Sequence, residues 1–113
     1  MIKWKNLESE TQLNALIERS NDAPCLIFKH STTCHISAMV RARLEQNWDF
    51  DAAALEPYYL DLLRFRSVSD AVAEHFDVFH ESPQVLLVRD GECVYDASHL
   101  DISMAELHDI YAD

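Results

Sequence analysis

Four apolar residues in succession, Cys25-Leu26-Ile27-Phe28, follow the turn Asn21-Asp22-Ala23-Pro24 and precede the polar stretch Lys29-His30-Ser31-Thr32-Thr33. A strand with one wet face alternates apolar and polar side chains, whereas an unbroken apolar run belongs to a central strand covered on both faces. The chain must therefore supply helices for both sides of a sheet, and its periodicity does so. Ser9-Glu10-Thr11-Gln12 reads as a capping box opening a first helix, with Leu13, Leu16 and Ile17 as its buried stripe. A second begins around Cys34, where Ile36, Met39, Val40, Leu44 and Trp48 recur at helical spacing and leave Arg41, Arg43 and Glu45 for solvent. Its end falls somewhere within Asn47 to Glu56.

Pro57 opens another strand, Tyr58-Tyr59-Leu60-Asp61-Leu62, and Ser67-Val68-Ser69-Asp70 starts a third helix with Val68, Ala71, Val72 and Phe76 on one face. Val85-Leu86-Leu87-Val88 is a strand directly after Pro83. Asp90-Gly91 is a two-residue hairpin signal, and Cys93-Val94-Tyr95 is the returning strand. Ser103-Met104-Ala105-Glu106 caps a short terminal helix carrying Leu107, Ile110 and Tyr111, and Ile2 to Trp4 is a weak first strand. The expected order is βαβαβαββα, an α/β fold whose central mixed sheet is flanked by helices, with the closing hairpin as an antiparallel edge. No linker or repeat divides the 113 residues, which form a single domain, 1–113, long enough for a real core.

Charge removes several function classes. Twenty acidic residues against nine basic give a formal net charge of −11, so the basic patch of a nucleic-acid binder is missing and DNA and RNA are not expected partners. No apolar run approaches the roughly 18 residues of a membrane span. Met1-Ile2-Lys3-Trp4-Lys5 leads into polar sequence rather than a secretory stretch, and the cytoplasm is the expected location. The three cysteines, Cys25, Cys34 and Cys93, contain no Cys-x-x-Cys pair. Neither a disulfide framework nor a zinc site is expected from them, and Cys25 and Cys93 read as inert filler inside strands.

Cys34 is different. A thiol at the first turn of a helix faces unpaired backbone N–H groups and the positive end of the helix dipole. Both favour thiolate, the reactive species. In a two-cysteine redox motif the second thiol would stand at position 37, which here is Ser37. A hydroxyl forms no disulfide, so a mixed disulfide at Cys34 must be resolved by a thiol from elsewhere, and exchange with a small thiol follows. Ser37 lies on the same helical turn, either as a hydrogen-bond donor to the thiolate or as an ordinary first-turn serine. Lys29, His30, Thr33 and His35 flank the cysteine in sequence and are the expected substrate contacts, His35 as an exposed cation for a substrate carboxylate.

The segment Phe28-Lys29-His30-Ser31-Thr32-Thr33-Cys34-His35-Ile36-Ser37, together with His80-Glu81-Ser82-Pro83-Gln84 and Ser98-His99, closely resembles the monothiol bacilliredoxin family of the bacillithiol redox system, over nearly the whole chain from Trp4. The resemblance implies a thioredoxin-like fold and a cis proline at Pro83 lying against the cysteine, with the Ser82 backbone ready to pair with an extended substrate. It also implies Cys34 as nucleophile, bacillithiol as cosubstrate with no bound cofactor, and bacillithiolated client proteins and free bacillithiol as partners. The family commonly has proline after the cysteine, where this chain has His35. Two other readings stand beside it: an iron–sulfur carrier dimerising through Cys34, and a non-catalytic adaptor in which Cys34 is incidental. Tetrahedral zinc spacing is absent, and His75, His80, His99 and His108 scatter over separate elements, so no metal site is expected. His80 and His99 belong to the family-like segments and are candidates to line the cleft.

Overall fold

A computed structural model describes residues 2–51 and 53–112. In chain order its elements are β1 (Lys5–Asn6), α1 (Glu10–Arg19), β2 (Cys25–His30), α2 (His35–Asn47), β3 (Glu56–Asp61), α3 (Arg66–Phe76), β4 (Gln84–Arg89), β5 (Glu92–Ser98), a 3-10 turn (His99–Asp101) and α4 (Met104–Ala112). The sheet order is β1-β3-β2-β4-β5. β3 lies parallel to both β1 and β2, and β4 is antiparallel to both β2 and β5.

The apolar run that begins β2 does what its pattern requires. Cys25 and Ile27 enter a cluster with Leu13 and Leu16 of α1 and Val68 and Val72 of α3. Leu26 and Phe28 enter a second cluster with Val40 and Leu44 of α2 and Leu107 of α4. Full burial of each such side chain stabilises the fold by about 1.5–3 kcal/mol, which makes this strand the main fastening between the two helical layers. All six of its residues are buried, so the strand continues two polar positions beyond the apolar run, through Lys29 and His30.

Local signals set the element ends. Ser9 Oγ accepts the Gln12 N–H at 3.1 Å, which caps α1, while Gln12 Oε1 reaches one residue past the cap and accepts the Glu8 N–H at 2.6 Å. Asp90 and Gly91 both adopt left-handed φ, +54° and +79°, as a two-residue turn of the mirror-image type demands. α2 stops at Asn47 because Trp48 turns extended and packs toward Phe50. The first strand lies at Lys5–Asn6 and not at Ile2–Trp4. Trp4 is taken up instead by stacking on Phe28 at 5.5 Å and by donating its indole N–H to Glu45, and the ladder to β3 begins only after it.

Candidate active site

Cys34 is the N-cap of α2, extended at φ −100° and ψ 121°, half-buried, directly after the loop that leaves β2. Its N–H donates to Ser31 O at 3.2 Å and its carbonyl accepts the Ala38 N–H at 3.1 Å, which closes the first helical turn. No side chain caps this helix and no acidic residue occupies its first turn. The dipole end beside the sulfur is therefore neither filled by a capping side-chain oxygen nor opposed by a carboxylate of the first turn.

The other two thiols sit far away. Burial pushes Cys25 up to about 11 and Cys93 likewise to about 11. Cys25 starts β2, so the strand alone separates it from His30 by roughly 17 Å. Cys93 pairs with Val88, which pairs with Cys25, placing both sulfurs at the opposite end of the sheet from Cys34.

Ser37 is fully buried and faces inward. Its oxygen accepts the Ser31 N–H at 3.1 Å and lies 2.7 Å from His30 Nδ1. Burial, then the charge of Arg41, hold His30 below its ordinary value. The hydroxyl is thus engaged in bracing the loop that presents Cys34, not in a bond to the sulfur. His30 itself is buried among Phe28 and Tyr59. Lys29 has no exposed surface at all and reaches Ser69 O and His80 Nδ1, each at 3.3 Å. The expectation that Lys29 and His30 touch substrate needs correcting in that respect, because β2 runs on through both and each face is covered at that end. Thr33 and His35 are exposed on either side of Cys34, and Ser31 Oγ lies 3.3 Å from Thr33 Oγ1.

The Ser82–Pro83 bond is cis. Lys29 pairs with Gln84, so one step along the ladder brings Pro83 level with His30, beside the loop leading to Cys34. Pro83 O accepts the His99 N–H at 2.9 Å, and His99 faces Glu81 across 3.3 Å. Ser82 Oγ and Gln84 Oε1 are buried without a hydrogen-bond partner. The residues that sequence alone did not bring to this end are Ser69 and Gln84. Gln84 stood inside the His-Glu-Ser-Pro-Gln segment, and Ser69 was an inward polar position on a helix face of otherwise small and apolar residues. His80 was a cleft candidate; the structure ties its Nδ1 to Lys29, and burial together with the Lys29 charge holds it below its ordinary value.

Among the described residues, no group of three or more His, Cys, Asp or Glu side chains is placed to hold a metal ion, and no helix is long and apolar enough to cross a membrane.

Comparison with known proteins follows the same lines. The family described as monothiol bacilliredoxin BrxC matches residues 5–107. A solved structure described as a candidate oxidoreductase with a thioredoxin fold is 31% identical, with a TM-score of 0.77, over 93% of this chain and 90% of that one. Thioredoxin from Malassezia sympodialis shares the fold at a TM-score of 0.76 and 14% identity, over 99% of this chain and 90% of its own. Thioredoxin from Trypanosoma brucei brucei does so at 0.74 and 14%, over 98% and 93%.

Proposed function

The chain belongs to the monothiol bacilliredoxin family, and on that footing we propose that it removes bacillithiol from S-bacillithiolated proteins through Cys34. A thiol-redox role follows from the family and from the thioredoxin-fold oxidoreductase relative. In the proposed reaction the Cys34 thiolate attacks the bacillithiol sulfur of a protein–S–S–bacillithiol adduct. The new S–S bond forms as the old one breaks, and the client leaves as a thiolate that takes a proton from solvent. A second bacillithiol thiolate then attacks the sulfur of the bacillithiol held on Cys34. Cys34 is released as thiolate, and the two bacillithiol molecules depart as a disulfide. The client disulfide is reduced and bacillithiol is oxidised, so the electrons balance without a bound cofactor. Free bacillithiol and modified client proteins are the partners of this scheme, and the cytoplasm is its setting.

One observation carries the reading: Cys34 is a half-buried thiol at an uncapped helix start, while position 37 is a serine turned inward and both remaining thiols lie at the far end of the sheet. An adduct on Cys34 has no internal competitor, so it must wait for an external thiol. Intact-mass analysis after mixing with a bacillithiolated carrier protein tests this. The wild type should gain the mass of one bacillithiol and Cys34→Ala none; equal gain by both, or by neither, removes the proposal.

A further inference from the structure

The end of the sheet away from Cys34 carries a cavity that the thiol chemistry does not use. β2 and β3 run parallel, with Cys25 level with Glu56 and His30 level with Asp61, so Glu56 marks the end opposite the cysteine loop. Glu56 lines a cavity of about 420 Å³, together with Lys3, Lys5, Arg19, Trp48 and Phe50. That volume lies within the usual range of small-molecule sites, roughly 300–1,000 Å³.

Charge is unevenly placed there. The chain has nine basic residues against twenty acidic, yet three of the nine line this one cavity. Glu56 is only 4% exposed and holds Lys5 Nζ at 2.7 Å and Arg19 Nε at 2.6 Å, with the Tyr58 hydroxyl donating to it at 3.2 Å. One carboxylate is thus shared by two cations, and a positive charge is left over. The side chains of Lys5 and Arg19 are about half exposed, so their remaining N–H donors stay open to a ligand. Lys3 is exposed and has no ion pair among the described residues. Asp22 is the other carboxylate acting on Arg19, and three cations still outnumber the two acids. On a chain of net charge −11, a positive cavity concentrates anions where the rest of the surface repels them.

The apolar part of the lining is held in place. Trp48 and Phe50 meet at 5.2 Å. Phe50 also stacks on His108 at 4.3 Å and meets Tyr111 edge-on at 5.2 Å, both on α4. Asp49, between the two rings in sequence, is engaged by His108 Nε2 at 2.6 Å. Rings already packed in this way lose little freedom when a flat ligand stacks against them. The Lys5–Glu56–Arg19 triad fastens β1 and α1 to β3; a third cation and two packed rings on the same cavity go beyond that fastening.

We propose that this cavity binds a small planar organic anion, a ring system bearing a carboxylate or a phosphate. Its acid group meets Lys3, Lys5 and Arg19, and its ring lies against Trp48 and Phe50. An inorganic ion lacks the ring and a neutral ring lacks the charge, so each alone binds less well. The site is separate from Cys34 and stands whether or not bacillithiol is the cosubstrate there.

Titrating isotopically labelled protein with 2-naphthyl phosphate and with 2-naphthoate, followed by NMR amide and indole shifts, tests this. The neutral 2-naphthamide and inorganic phosphate are the partial ligands. At least one ring anion should shift the Trp48 indole and the Lys3 and Lys5 amides at a single site, about tenfold more tightly than either partial ligand. Because the ring is the same in both, the tighter one tells phosphate from carboxylate. Lys3→Glu should weaken binding about tenfold and leave the Tm of the free protein unchanged. Arg66→Glu, the same change of charge at the start of α3 beyond the other end of β3, should weaken it less than about twofold. A partial ligand that binds as tightly as the better ring anion, an affinity that Lys3→Glu leaves unchanged, or an equal loss in both variants overturns the site. So do shifts gathered at Cys34 instead, or no binding by either ring anion.

Discussion

Replacing Lys29 by Met gives a measurement whose pH dependence follows from the fold. Burial lowers the lysine from 10.5 to about 8, against a smaller opposing pull from Asp70. A tenfold change in proton affinity is worth roughly 1.4 kcal/mol, so a protonated Lys29 costs the folded state roughly 3 kcal/mol. Between pH 8 and 10.5 the unfolded chain holds this proton while the folded chain releases it, so the wild type gains stability as pH rises through that window. Below pH 8 the whole cost is present. Methionine has no proton to lose. The same substitution strips a donor from Ser69 O and from His80 Nδ1, at about 1–3 kcal/mol for each group left unpaired, which opposes the gain. The two variants should therefore lie close together at about pH 7, and the variant should fall behind by roughly 3 kcal/mol as pH approaches 10.5. Urea titrations followed by the fluorescence of Trp4 and Trp48, under reducing conditions at several pH values, read the difference. Cys25 and Cys93, both pushed up to about 11, ionise alike in the two proteins and cancel. A difference that is flat from about pH 7 to about pH 10 would mean that the folded chain keeps this proton as long as the unfolded chain does, and the reasoning about the cost of burying it fails.

Iodoacetamide at about pH 7 should label Cys34 alone in the folded protein, because a thiol held near 11 is ionised to about one part in ten thousand; a second label before unfolding, seen by intact mass, would contradict the placement of Cys25 and Cys93. Ser37→Ala should cost about 1–3 kcal/mol in urea denaturation, since the Ser31 N–H and His30 Nδ1 both lose their partner. Its Cys34 alkylation rate should stay within about threefold of wild type, and a much larger drop would restore the hydroxyl as a direct partner of the sulfur.

The place of Cys34 at a helix start and the fold were legible in the sequence for the same reason: both are local. A continuous apolar run, a polar turn and a helical stripe are written in consecutive residues, and the cysteine falls at their junction. The Asp-Gly turn and the Ser9 cap are local too, and both form at the residues that signal them. What was not legible is which way the polar residues at the end of β2 point. Lys29 and His30 adjoin the cysteine in sequence, and proximity suggested the surface. Their burial depends on β2 pairing with β3 and β4 through residues 60, 61 and 84, a register that no window around Cys34 contains. The same holds for Ser69 and Gln84, which acquire a role only once α3 and β4 close over Lys29. The misplaced first strand has a related cause, because Trp4 suits a strand by type but is claimed by the distant Phe28 and Glu45.

Position 37 ties these strands together. In a two-cysteine site it would carry the resolving thiol and would have to approach Cys34 during each cycle. Here it is a serine whose oxygen is held on both sides, by the Ser31 N–H and by His30. A side chain so engaged braces the loop, and the loop can be rigid because nothing in it must move toward the sulfur. Resolution then depends on access from outside. Removing the internal thiol thus shifts selectivity from the chemistry at Cys34 to the surfaces that flank it, and mutations in those surfaces should alter which disulfides are accepted more than how fast the sulfur reacts.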